Sequence, residues 1–360
     1  MTTVGDIIGE LENIAPPELA EDGDRIGLQV GQRDAEVSRV CVSVDTSPPV
    51  IKRFLDEGGG MLVAHHPLIF RPLTSLAEDD PASRSVVSMI RANAALYVLH
   101  TNLDIVSGGI NDCLAQVLGL ADCSPLSVRH EDTFYKVAVF VPGEAVERVR
   151  NAMADAGAGR IGQYTHCSFR TQGVGSFVPL PAAEPYIGSV GKLEEVEEYR
   201  LEMICVGSWL ELVISEMVDK HPYNEVAYDV YELANEPITY GLGRVGALEK
   251  ETTLAEFAGR VNAVLHPAHL KVFGDPDAKI KRAAVCGGSG SSLFGEAAGA
   301  GADVYVTGDT KHHDILDANA LGLAVIDAGH LETEIPGMIV LADKLRRFLA
   351  DRGVAVDFLQ

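Results

Sequence analysis

Histidine and carboxylate side chains gather at three places in the sequence. They are Ala64-His65-His66-Pro67-Leu68-Ile69-Phe70, His100-Thr101-Asn102-Leu103-Asp104 and Asp327-Ala328-Gly329-His330-Leu331-Glu332-Thr333-Glu334. Imidazole with carboxylate is a donor set for Zn, Fe, Mn or Ni, and no CxxC pair accompanies it. His330 and Glu334 are four apart, so one helical turn puts them on one face. A carboxylate has two oxygens, so Glu334 or Asp104 could bridge two cations. Donors from three loops suffice for a dinuclear centre that leaves positions open for water. Each group alone has a plainer reading. HisHisPro is a turn, His100 a ring held by a backbone bond, and Glu332 and Glu334 acids that favour a helix start. Their recurrence at equivalent positions favours the metal.

Those positions are the carboxyl ends of strands. Apolar runs at Val40–Val44, 61–64 and 96–99 alternate with helical stretches near 48–57 and 82–94, and a third helix follows Gly108-Gly109. The C-terminal segment repeats the rhythm. Strands are expected at 283–286, 303–306 and 323–326, helices at 292–299, 311–320 and 336–350, and an edge strand at 354–358. Continuous apolar strands between helices indicate a parallel sheet covered on both faces, and such sheets place ligands at their carboxyl ends.

Two further loops follow strands of the last segment. Gly287-Gly288-Ser289-Gly290-Ser291-Ser292 presents backbone N–H groups to an anion or forms a tight turn, and it lacks the lysine of a P-loop. In Gly308-Asp309-Thr310-Lys311-His312-His313-Asp314, Asp309 suits a helix cap, and His313 suits a proton shuttle or a phosphate contact. His130, His166, His221, His266 and His269 lie in turn-like or polar contexts and read as surface or capping residues.

The middle of the chain differs. A strand at 135–141, a helix at 144–156, strands at 164–170, 173–179 and 196–205, a helix at 208–220 and a strand at 225–232 follow the order of a ferredoxin-like sandwich with an added hairpin arm. Neither flanking segment alone carries enough strands for a well-covered sheet, and together they do. The fold class is therefore α/β. Residues 1–128 and 244–360 form a discontinuous, parallel-rich core, and residues 129–243 form an inserted α+β domain.

With 29 basic and 52 acidic residues the formal net charge is −23, which excludes general affinity for nucleic acid or anionic lipid. No apolar run spans a bilayer and no secretory signal precedes the first element. The cysteines, Cys41, Cys113, Cys123, Cys167, Cys205 and Cys286, read as small hydrophobes in a reducing cytoplasm.

The motifs resemble the NIF-three-like dinuclear-metal family, whose members are often labelled GTP cyclohydrolase 1 type 2 homologues. The likeness runs through Gly23–Gly31, 65–70, 100–104, Gly109-Ile110-Asn111-Asp112, Gly288-Ser289-Gly290, Ala302–Asp309 and 329–334. The middle segment is similar, at 158–164, 190–194 and 221–229, to the extra domain of the longer members, which looks like trimeric PII and CutA proteins. The resemblance implies two divalent ions, with zinc the foremost choice and Fe, Mn or Ni as others. It assigns His65 and Asp104 mainly to one ion, His66 and His330 to the other, and Glu334 to the bridge, with His100 outside the ligand shell. It also implies a homo-hexamer built as a trimer of dimers. The sequence departs from the family at Asp24-Arg25-Ile26-Gly27, where an aromatic before the Asp and an Asn after it are common.

Two functional readings follow. One is a metal-dependent hydrolase on a nucleotide or phosphoester, with GTP ring opening as one version and His100 or His313 moving the proton. The other is a non-catalytic, oligomeric metal-binding or regulatory protein whose PII-like insertion binds a small ligand or a partner.

Overall fold

The structure, a computed structural model, describes residues 1–183 and 185–359. Mixed parallel and antiparallel sheets with flanking helices make up an α/β fold. The chain divides into two compact units, Met1–His130 with Tyr240–Gln360, and Glu131–Thr239. Among the described residues no helix is long and apolar enough to cross a membrane.

In the first unit the N-terminal strands build a five-stranded sheet. Its order is Gly27–Val30, Ala95–Val98, Met61–Ala64, Arg39–Ser43 and Ala355–Leu359, all parallel except the first. Both faces are buried. Val40, Val42, Met61, Val63 and Tyr97 pack with the Val4–Ile14 and His330–Leu349 helices on one face. Cys41, Leu62, Ala64, Leu96 and Val98 pack with the Pro48–Asp56 and Pro81–Arg91 helices on the other. This two-sided burial is why these strands read as unbroken apolar runs. Local chemistry sets the helix starts: Thr3 and Asp6 form a capping box, and Asp80 caps a helix that opens on Pro81.

Apart from Ala355–Leu359, the C-terminal strands do not join that sheet. They form a second one, ordered Lys271–Phe273, Ala324–Asp327, Val304–Thr307, Lys279–Val285, Ile238–Thr253 and Leu120–Asp132. The expectation of one shared sheet fails because the long strands Leu120–Asp132 and Ile238–Thr253 went unrecognised. Leu120–Asp132 is largely exposed and polar, Ile238–Thr253 mixes glycines and polar residues along a mostly covered strand, and both supply the width the second sheet needs. The two sheets instead exchange strands. The C-terminal Ala355–Leu359 completes the first, and Leu120–Asp132 from the N-terminal segment completes the second.

The His330–Leu349 helix leaves the second sheet and packs on the first. Gly337 makes this close approach to the Ile110–Val117 helix, since a Cβ there would lie 2.6 Å from Ile110 Cδ1. Arg244 reinforces the junction. Its side chain is 3% exposed, pairs with Asp112 at 2.6 Å, and donates to the carbonyls of Gly241, Gly243 and Val106.

The second unit is a four-stranded antiparallel sheet ordered Ser168–Phe177, Glu194–Val206, Phe134–Pro142 and Tyr228–Glu232. The Val146–Asp155 and Gly207–Lys220 helices cover one face, packing on Val137, Val139, Leu201 and Met203. Connectivity and strand order are those of a ferredoxin-like sandwich. The expected hairpin at 164–179 is a single strand. Thr171 and Gln172, where the turn was expected, stay in register opposite Arg200 and Tyr199.

All six cysteines are free; Cys123 is exposed and Cys167 half-buried, whereas the other four are buried as read. His221 is not a surface residue. It is 7% exposed, its Nε2 lies 3.0 Å from Phe140 O, and its Nδ1 accepts from Tyr223 N–H.

Arg244→Ala removes the buried cation paired with Asp112 and its bonds to three carbonyls, and is expected to cost about 3 kcal/mol of unfolding free energy. Urea denaturation of the wild type and variant checks this. A loss within experimental error would show that the buried guanidinium does not hold the junction.

Candidate metal centre

The three sequence groups converge. His65 and His66 follow the Met61–Ala64 strand, where their N–H groups still donate to Ser43 O and Val44 O. His100 follows the neighbouring strand, and Asp104 sits on the short Thr101–Ile105 helix. His330 opens the His330–Leu349 helix, with Gly329 at φ 87° before it, so Glu334 lies one turn on. That helix was expected to begin at Pro336. Proline suits a first turn, but here it sits inside the helix, and the six residues before it are already helical.

Glu334 is the hub. Its side chain is 4% exposed, and its Oε1 lies 3.5 Å from His65 Nε2 and 3.2 Å from His330 Nε2. Its Oε2 lies 3.1 Å from His66 Nε2. Asp104 Oδ1 is 3.6 Å from His65 Nε2, and the His66 and His330 Nε2 atoms are 3.2 Å apart. The ligand atoms of His65, His66 and His100 lie within 4.8 Å of one another, and those of His66, His330 and Glu334 do likewise.

The outer ring nitrogens are anchored. His65 Nδ1 donates to Leu99 O at 2.8 Å, His100 Nδ1 to Asp24 Oδ1 at 2.8 Å, and His330 Nδ1 to Asp309 Oδ2 at 2.7 Å. Each bond fixes the tautomer that leaves the Nε2 lone pair facing inward, which is how metal-binding histidines are oriented. Asp24 also accepts from Thr101 N and Oγ1. Burial opposes the Asp24 carboxylate, but the His100 and Thr101 bonds outweigh it and hold its pKa far below the usual range.

Among the described residues, His65 Nε2, Asp104 Oδ1 and Glu334 Oε2 are buried with no properly aligned hydrogen-bond partner. Orphaned buried atoms of this kind, on donors of these types, fit metal coordination. Gly288 keeps the space open. It has φ 65°, and a Cβ there would stand 2.4 Å from Glu334 Oε1 and 3.2 Å from His330 Nε2.

Without a cation, protons take up the charge. Burial opposes the His65 imidazolium, but Asp104 and Glu334 overcome it and push its pKa up to about 9. The Glu334 bond, working against burial and helped by Asp309, raises His330 to about 9. Burial lifts Asp104 to about 6 despite His65 beside it. Burial also opposes the Glu334 carboxylate, but the imidazoles around it win and keep it ionised.

His313 is not brought into the cluster. It is exposed and lies against His312, with ring centroids 5.6 Å apart. Asp309 is not the helix cap either. Lys311 holds that position, while Asp309, at φ 53°, turns to His330. Asp24 was read only as a departure from a family pattern, and no spacing rule links it to His100.

Glu334→Gln is expected to weaken metal binding by more than the roughly 10–100-fold typical of an outer-shell loss, which is the range expected for Asp309→Asn. Gly288→Ala is expected to weaken it without removing a donor. Metal content after dialysis reads all three, and wild-type retention in Glu334→Gln would contradict the assignment. Because His65 and His330 hold protons below about pH 9, metal uptake at pH 7 releases protons and apparent affinity tightens as pH rises. Calorimetry in buffers of different ionisation enthalpy counts them, and zero release would contradict this linkage.

The profile for Duf34/NIF3 (NGG1p interacting factor 3) matches residues 2–360. A Bacillus subtilis protein called "GTP cyclohydrolase 1 type 2 homolog" is 44% identical over 329 residues, covering 91% of this chain and 88% of its own. A Mycobacterium tuberculosis protein of the same name is 38% identical over 347 residues, covering 95% and 91%. The crystal structure of a Bacillus cereus protein related to NIF3 superposes with a TM-score of 0.89 at 39% identity, covering 100% of this chain and 97% of the other. A Staphylococcus aureus structure gives 0.71 at 28% identity, covering 99% and 95%. The chain belongs to the Duf34/NIF3 family.

Proposed function

We propose that the chain is a divalent-metal-dependent hydrolase acting on a nucleotide or related phosphoester, with GTP among the candidate substrates. The observation that carries this reading is the His66–His330–Glu334 donor group, with orphaned buried atoms beside it at His65, Asp104 and Glu334. In this reading His65, His66, Asp104, His330 and Glu334 hold two cations. Zinc suits the donor set best, and Fe, Mn or Ni are accepted by it. Such ions supply Lewis acidity toward water and toward a substrate oxygen.

The chain's own residues do the rest. His100 is fixed by Asp24 through Nδ1, which leaves Nε2 to accept a proton and then return it. Asp24 stays anionic and stabilises the imidazolium while His100 carries the proton. Asn102 fixes the turn, accepting from His100 N at 3.0 Å and donating to Ala15 O at 2.7 Å. His313, outside the cluster, has no role in this scheme. An acidic protein is no obstacle to an anionic substrate, because bound cations reverse the local charge.

The test measures turnover of GTP and of bis(4-nitrophenyl) phosphate by metal-loaded protein. His65→Ala combined with Glu334→Gln is expected to abolish turnover together with metal content. His100→Ala is expected to lower kcat by about 10²–10⁴-fold while retaining the metal. Equal rates in the wild type and the double variant would refute the hydrolase. Metal loss in His100→Ala would make His100 a ligand rather than the proton carrier.

A further inference from the structure

The Glu131–Thr239 unit contains a cavity of about 570 Å³ that shares no residue with the histidine–carboxylate cluster. It lies at one end of the sheet, on the face the two helices leave bare. Phe140, Phe177, Leu180, Tyr186, Ile187 and Tyr223 form most of its apolar wall. A volume of this size suits a small organic ligand.

One charged group in this wall is buried. Glu198 is 8% exposed, and Tyr223 Oη donates to its Oε1 at 2.8 Å. Among the described residues no cation forms an ion pair with it. Arg200, two residues along the same strand, is engaged elsewhere. It donates to Glu202 at 2.8 Å and lies over the rings of Phe140 and Tyr231. The opposing strand makes room for the carboxylate, since a Cβ on Gly175 would come within 2.2 Å of Glu198 Oε2. Burying a carboxylate without a cation is costly, so a fold that clears space for one leaves a counter-charge to be supplied.

We propose that this cavity binds a small organic cation, a primary amine or amidine carried on an aromatic or apolar body. The ammonium or amidinium meets Glu198 Oε2. The aromatic walls receive the body and, through their ring faces, part of the charge. Among the described residues no lysine or arginine lines the cavity, and Glu225 adds a second acid, so an anion such as a nucleotide phosphate is disfavoured here.

Phenethylamine, with 2-phenylethanol as its uncharged counterpart, tests this on the full-length protein by NMR shift titration. Ligands this small bind at best in about the submillimolar range. Phenethylamine is expected to bind saturably, and at least about tenfold more tightly than the alcohol. Glu198→Gln keeps an acceptor for Tyr223 and loses the charge, so it should erase that preference. Leu180→Trp, at an exposed wall position, fills the cavity and should abolish binding of both probes. Metal content and thermal unfolding report the integrity of both variants. The proposal is overturned by no binding, by equal affinity for amine and alcohol, or by an amine preference that survives in folded Glu198→Gln. Unchanged binding in Leu180→Trp also overturns it, and decides the matter alone if Glu198→Gln does not fold.

Discussion

A carboxylate almost wholly removed from water stands among three imidazoles, and the surrounding fold is organised to tolerate it. Glu334 is 4% exposed, and both of its oxygens point at ring nitrogens. An isolated charge in such a place would be neutralised or expelled. It remains ionised because His65, His66 and His330 are brought to it from two different sheets. Two of them follow a strand of the first sheet, and the third shares a helix with Glu334 behind a strand of the second. Neither sheet alone assembles the cluster, so the packing of the His330–Leu349 helix across the first sheet is a condition of the site. Gly337 and Arg244 matter for that reason, although neither touches a histidine.

The imidazoles would serve poorly if they rotated freely. A backbone carbonyl, a buried aspartate and an exposed aspartate each take one Nδ1–H. The three anchors differ in strength. Leu99 O is part of a strand end and cannot move independently. Asp24 is held by Thr101 as well as by His100. Asp309 is 62% exposed and sits at a positive φ, so His330 has the least constrained support.

Much of this was legible in the sequence, and the remainder has identifiable physical causes. Strands such as Met61–Ala64 are buried on both faces, so their apolar runs stand out, and the chemistry that follows each run is found beside it in the text. His330 and Glu334 could be paired because a helix repeats every 3.6 residues. Asp24 could not be paired with His100, since the contact joins distant segments through a loop without periodicity. Leu120–Asp132 is largely exposed and carries Pro125, and Ile238–Thr253 is interrupted by Gly241, Gly243 and Gly246, which hides both. The break expected between 170 and 173 erred in the opposite direction. The edge strand runs on through Thr171 and Gln172, with Gly175 close beside Glu198.

The exchange of strands between the two sheets also has a consequence for how the chain reaches this state. Arg39–Ser43 can pair with Met61–Ala64 early in synthesis, but its other edge waits for Ala355–Leu359, which is made far later. In the interval that edge presents unpaired N–H and C=O groups to any passing strand, which is the usual opening for misassembly. Loop closure over so long a separation also slows the final step. A long-lived open edge on a half-built sheet is therefore inherent in this topology.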